Sequence, residues 1–416
     1  MRTPLGIAIF LSIMLALDMY VFQAIKVVCQ SASPKIRMVV YISFWLLAAV
    51  AVAGFLLFVL TDHKFLPLRV RTYLFAIIIG LFLAKLLAVF FFIADDVRRI
   101  IEWLIGKLLY TNKGDQGIKG DGITRSVFLS WLGLAAGGTL FSTLLYGFGN
   151  KYKYEVRKIK LSFPNLPKAF SGLKILQISD IHSGSFLNKK AVQHGVDMIL
   201  QQNADLILFT GDLVNDKATE MDNYKDVFSQ LKAPMGVYST LGNHDYGDYI
   251  PWPNNGITKE QNLENVKKVH GEIGWRLLMN EHVVLEKEGQ KIALLGIENW
   301  SSKARFPKHG RMDLAYAGTQ DIPFKILMSH DPSHWDAEVI PKYNDIDLML
   351  SGHTHGMQFG IELPGFQWSP VKYIYERWAG LYENGKQKLY VNRGFGFIGY
   401  PGRVGILPEI TVIELV

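Results

Sequence analysis

Through the first third of the chain, apolar residues run almost unbroken in four stretches, 5–28, 38–60, 72–94 and 127–148. Each reaches the roughly 20 residues that a helix needs to cross the hydrocarbon core of a bilayer. They are too long and too many for one cleaved signal peptide, so the pattern predicts four transmembrane helices. Residues 111–124, with four glycines and mixed charges, read as a loop. Past Lys160 the pattern changes. Short apolar runs at 173–178, 206–210, 237–241, 292–297, 324–328 and 346–350 each stop at a polar residue or glycine, as strands buried on both faces do. Between the early runs, 189–203, 223–231 and 259–273 are predicted helices. Strands alternating with helices indicate an α/β fold. The expected division is a membrane domain over 1–150 and a globular domain over 151–416.

Charge divides along the same line. Residues 1–150 hold 14 Lys/Arg against 7 Asp/Glu, whereas the remainder holds 30 of each. The net charge of +7 therefore belongs wholly to the membrane region, where cations meet lipid headgroups. A globular part with no basic excess gives no support to nucleic-acid binding. The single cysteine, Cys29, excludes a disulfide or a cysteine-based zinc site within one chain. Asp18 and Lys85 fall inside predicted spans and read as residues facing the bundle interior rather than a transport path.

The chemistry lies at the ends of the short runs. They lead into Ser179-Asp180-Ile181-His182, Gly211-Asp212, Gly242-Asn243-His244-Asp245, Ser329-His330-Asp331 and Gly352-His353-Thr354-His355. In α/β sheets such strand ends gather on one face, where ligands bind. Carboxylates, an amide and several imidazoles would meet there, a donor set that suits manganese, iron or zinc. Asp180 and His182 would point to opposite sides of a regular strand, so the strand is expected to end near Asp180, with Ser183-Gly184-Ser185 as the place for a bend. His194, His270, His282, His309 and His334 lack this context and read as surface or structural residues.

In this order the fragments resemble the calcineurin-like metallophosphoesterase superfamily, over about Lys174 to the C-terminus. Forms such as Gln177-Ile178-Ser179-Asp180 and Leu241-Gly242-Asn243-His244-Asp245-Tyr246 look most like its bacterial membrane-associated or exported phosphodiesterase branch. The resemblance implies a β-sandwich flanked by helices, with metals at strand ends. It implies two divalent ions, one held by Asp180, His182, Asp212 and His355, the other by Asp212, Asn243, His330 and His353. His244 would be the catalytic imidazole and Asp245 its orienting partner, in a phosphoester hydrolysis by metal-activated hydroxide. Two departures stand out: Asn215 where many members have a second Asp, and Met357 where a glycine is common.

The membrane anchor makes a lipid phosphodiester or diphosphate a reasonable substrate, with Tyr249 and Trp252 as candidate cleft walls and Arg393 as a candidate phosphate contact. The alternative is a catalytically silent metal-binding domain of a membrane sensor or transporter. Nine cations (Lys26, Lys35, Arg37, Arg98, Arg99, Lys107, Lys113, Lys119 and Arg125) lie on the side opposite the globular domain. Four (Arg2, Lys64, Arg69 and Arg71) lie on its own side before that domain begins. Lys and Arg resist translocation, so the domain is expected on the extracytoplasmic face of a cytoplasmic membrane. Thr124-Arg125-Ser126-Val127-Phe128-Leu129 resembles a twin-arginine export signal with one arginine of the pair missing.

Overall fold

The computed structural model describes residues 4–60, 67–109, 125–253 and 256–416. The predicted loop at 111–124 lies outside them. The chain separates into two compact units, Met1–Tyr146 and Gly147–Val416.

The first unit is built from α1 (Pro4–Val28), α2 (Pro34–Leu60), α3 (Leu68–Leu109) and α4 (Arg125–Gly147), and all four are long and apolar enough to span a membrane. Against the predicted end near residue 94, α3 continues to Leu109. Its polar extension is held by pairs one turn apart: Arg98 reaches Asp95 at 2.8 Å and Glu102 at 2.7 Å. Asp18 of α1 and Lys85 of α3 pair with each other, and Asp18 is fully buried. A charge in this setting is tolerated because its partner supplies what water cannot.

The second unit stacks two six-stranded sheets. One runs β1 (Glu155–Leu161), β14 (Glu409–Leu415), β2 (Lys174–Ile178), β3 (Leu206–Phe209), β4 (Val237–Ser239), β5 (Arg276–Leu277). The other runs β12 (Gly380–Asn384), β13 (Gln387–Val391), β9 (Leu348–Ser351), β8 (Lys325–Met328), β7 (Gln290–Gly296), β6 (Glu281–Lys287). A separate hairpin pairs β10 (Ile361–Leu363) with β11 (Phe366–Trp368). Three apolar layers explain the continuous hydrophobic runs. Ile175, Leu206 and Leu208 of the first sheet meet Leu294, Ile326 and Leu350 of the second in the middle layer. The outer face of the first sheet, with Leu176, Ile207 and Phe209, is covered by α5 (Lys189–Leu200) and α7 (Lys259–Glu272), the short α6 (Lys225–Phe228) lying between them in sequence. Leu295, Leu327 and Met349 pack under Met312 and Ala315 of α8 (Met312–Tyr316) on the far face of the second. A strand covered on both faces carries no polar alternation, and this is the helix-flanked sandwich.

Strand direction positions the site. β2, β3 and β4 are mutually parallel, and so are β7, β8, β9 and β13. The two parallel sets end at the same edge of the sandwich. Buried Gln177 ties the sheets together there, donating to Thr210 Oγ1 at 3.2 Å on one side and to the carbonyl of Ser351 at 2.9 Å on the other.

Candidate metal centre

Asp180 follows β2, Asp212 follows β3, Asn243 follows β4, His330 follows β8, and His353 and His355 follow β9. Five loops from two sheets thus deliver their donors to one cleft, and all seven candidate metal ligands meet there. Donor atoms of Asp180, His182 and His355 lie within 4.8 Å of one another, as do those of Asp212, His330 and His353. Asn243 joins the second group, with Oδ1 2.8 Å from His353 Nδ1. Asp212 serves both: Oδ2 is 3.5 Å from His182 Nε2 and 3.2 Å from His330 Nε2.

The backbone is bent for this purpose. Asp180, His182, Asp212, His353 and His355 all have φ between 49° and 73°, the left-handed region that non-glycine residues rarely occupy. Such strain costs about 1–3 kcal/mol per residue and collects at functional sites. The chain bends at the ligands themselves and again at Ser183-Gly184-Ser185, where the predicted bend is a single 3₁₀ turn. Loop-to-loop bonds hold it: Asp180 N donates to Gly211 O at 2.9 Å, and His182 N to Asp212 O at 3.1 Å. Close approach also fixes two glycines, since a Cβ on Gly242 would overlap Asp212 and one on Gly352 would overlap Ser179 and Asp180.

Electrostatics test whether these donors fit cations. Asp180, Asp212 and His330 are essentially buried. Burial opposes ionisation of both carboxylates, but the imidazoles around them outweigh it and hold Asp180 and Asp212 well below the usual range. Burial likewise disfavours a charged His330, yet Asp212 and Asp180 push it up to about 10, which shows how strongly the two carboxylates favour positive charge at that place. Burial lowers His182, His353 and His355, which keeps them neutral and able to donate lone pairs. His330 Nδ1 faces the carbonyl of Thr210 at 2.8 Å, which presents Nε2 to the cleft. Two buried anions ringed by neutral imidazoles and one amide oxygen suit divalent cations.

His244 also lines the cleft, half-buried, its ring 4.9 Å from that of His182. One expectation needs correction. Asp245 does not hold the His244 ring; its carboxylate accepts from the amides of Asp212, Leu213, Val214 and Gly242 at 2.8–3.2 Å, strapping the β3 and β4 loops together. The ring is oriented instead by the carbonyl of Asn215, 2.8 Å from Nδ1. A backbone oxygen leaves no trace in sequence, so pattern reading could not find it. Tyr249 lines the cleft and its hydroxyl accepts from Asn243 Nδ2 at 2.7 Å, while Trp252 turns away to bond Gly247 O. Arg393 is not a phosphate contact: it is buried, pairing with Glu409 at 2.6 Å and with Glu362 at 2.5 Å. The arginine that lines the cleft is Arg305, followed by Phe306, whose ring lies 4.8 Å from His353. Buried His270 and His334 lie outside the site, as expected of structural residues.

Sequence reading also passed over the support behind His353. Its Nε2 lies 2.8 Å from Tyr375 Oη, and that hydroxyl donates to Asp331 Oδ2 at 3.1 Å. A ligand imidazole whose far nitrogen is held this way keeps its orientation and gains basicity. Tyr375→Phe is expected to weaken metal binding by about 10–100-fold while leaving the fold intact. Competition against a chelator would show it, and unchanged affinity would remove this role.

Two family profiles match the chain. "Probable Calcineurin-like phosphoesterase, transmembrane domain" covers residues 1–150, and "Calcineurin-like phosphoesterase" covers 173–357. A transmembrane protein with metallophosphoesterase domain from Danio rerio is 28% identical over 323 residues, 75% of this chain and 67% of that protein. The metallophosphoesterase YkuE of Bacillus subtilis is 29% identical over 70% of this chain and 98% of its own length. The phosphodiesterase YaeI of Escherichia coli is 28% identical over 58% and 82% respectively. With its ordered donors at parallel strand ends and its four apolar helices, the chain belongs to the calcineurin-like metallophosphoesterases and is a metal-dependent phosphoesterase integral to a membrane.

Proposed function

We propose that the cleft holds two divalent cations, drawn from manganese, iron and zinc, and hydrolyses a phosphodiester or diphosphate of a membrane lipid. Asp180, His182, Asp212 and His355 would hold one ion, and Asp212, Asn243, His330 and His353 the second. The observation that carries this reading is Asp212 Oδ2, which stands within 3.5 Å of a ring nitrogen from each group. When bound, such a pair supplies Lewis acidity that acidifies water and neutralises charge on phosphoryl oxygens.

The chain's own residues do the rest. The Asn215 carbonyl can only accept, so His244 Nδ1 carries a proton; as the imidazolium, with Nε2 protonated too, His244 would give the Nε2 proton to the leaving oxygen and return to the neutral Nδ1–H ring. Arg305 offers a guanidinium to a phosphate oxygen, and Tyr249 and Phe306 wall the cleft against water. We assign residues 1–150 to anchoring and 151–416 to hydrolysis, the latter on the extracytoplasmic face of the cytoplasmic membrane, a placement supported by the excess of Lys and Arg on the opposite side.

The test uses the full chain in nanodiscs, stripped by chelator and reloaded with each metal, against soluble phosphomonoesters, phosphodiesters and lipid diphosphates. Activity lost on stripping and regained at two ions per chain is expected, with lipid or diester substrates preferred. Full turnover after stripping would refute the metal reading, and preference for soluble monoesters would refute the substrate. Protease added to intact cells should reach the globular domain; protection there would reverse the topology.

A further inference from the structure

The β10–β11 hairpin is built inside out. Ile361 pairs with Trp368 and Leu363 with Phe366, and residues directly opposite in an antiparallel ladder share a face. One face is thus entirely apolar, and the intervening pair, Glu362 and Gln367, is on the other. In most sheets the apolar face turns to the core. Here Glu362 turns inward, bonding Arg157 at 2.6 Å and pairing with Arg393. A slip of one residue would bury the apolar set but break these ion pairs, so the register holds the apolar face outward. Ile361, Leu363 and Phe366 are 47%, 60% and 54% exposed. Tyr373 and Ile374 extend the patch, with Tyr373 Oη 3.5 Å from Trp368 Nε1. Of the 13 large apolar residues exposed among the described residues of the second unit, six fall within 357–374. Scattered exposure is ordinary; a continuous patch marks an interaction surface.

The root of the hairpin indicates what covers it. Gly147, where α4 and its apolar span end, accepts through its carbonyl from Arg403 N at 3.0 Å. The next residue, Val404, accepts through its own carbonyl from Gly360 N at 2.9 Å. Gly360 leads directly into β10. The apolar hairpin and the point where the chain leaves the last span are therefore two hydrogen bonds apart. Trp368, Tyr373 and Lys372 are residue types that settle at the headgroup level. We propose that the 361–374 segment is a lipid-docking surface, its apolar face resting in the outer layer of the bilayer that the four helices cross. The segment begins six residues after His355, so docking brings the mouth of the metal cleft close to headgroups.

The test reads position rather than turnover, so it stands apart from the hydrolase reading. Full-length protein with Cys29→Ser is reconstituted in phospholipid vesicles and spin-labelled at Phe366→Cys, Leu363→Cys or, as a reference, Leu314→Cys, an exposed site on α8. Expected is a several-fold higher ratio of oxygen to nickel-chelate accessibility at 366 and 363 than at 314. Equal ratios at the three sites would overturn the proposal. So would labels at 366 and 363 shielded from both reagents, the outcome if a second copy or another protein covers the patch.

Discussion

Asp212→Asn is expected to empty both metal positions at once and to lower hydrolysis by about a thousandfold or more, since cationic charge at the phosphoryl group is the main source of acceleration. Other candidate ligands serve one group; Asp212 alone places one oxygen within 3.5 Å of His182 and of His330. The amide keeps the shape, so the change isolates charge. In the metal-free protein burial opposes ionisation of Asp212, but the imidazoles around it, with His330 at 3.2 Å, hold it ionised, and the amide gives up that attraction. The metal-free variant should therefore melt below the metal-free parent, and the rise in Tm on adding metal should disappear. Elemental analysis beside melting curves checks this. A variant that keeps both ions and near-normal turnover would defeat the shared-carboxylate assignment.

His244→Ala should give the opposite signature. No oxygen or nitrogen of the two metal groups depends on its ring, which is held by Asn215 O at 2.8 Å. Metal content should stay at the parental value while kcat falls by about 10²–10⁴-fold, the usual worth of a positioned acid. The loss should shrink for esters of an acidic phenol, whose leaving oxygen needs no proton, and grow for alkyl esters. A metal-replete variant with unchanged kcat on alkyl diesters would show that the imidazole does no proton work. The pair separates two forms of failure: Asp212→Asn loses the ions, His244→Ala loses only the step they support.

The outline of the fold was visible in sequence because burial on both faces of a strand removes polar alternation. All six predicted strand runs correspond to strands, β2, β3, β4, β7, β8 and β9. The edge strands were not singled out. β12 and β10–β11 mix exposed and half-buried positions, and their identity rests on pairing partners that local pattern does not reveal. The extension of α3 past residue 94 was also hidden, because a run of Asp, Arg and Glu reads equally as loop until its i,i+4 partners are seen.

The motif order, through the family it resembles, pointed to seven candidate ligands at the ends of buried strands, and the folded sheets bring all seven to one cleft. Sequence also determined the membrane region, because length and apolarity suffice to define a span. Tertiary structure alone decided what supports these groups. Asn215 holds His244 through a carbonyl that every residue possesses, Asp245 straps loops instead of orienting a ring, and Tyr375 reaches His353 from 22 residues away. It alone decided that Glu362 faces inward, leaving an apolar face outside. Donor identity is written in side chains, but orientation arises from contacts between loops that only the folded sheets bring together.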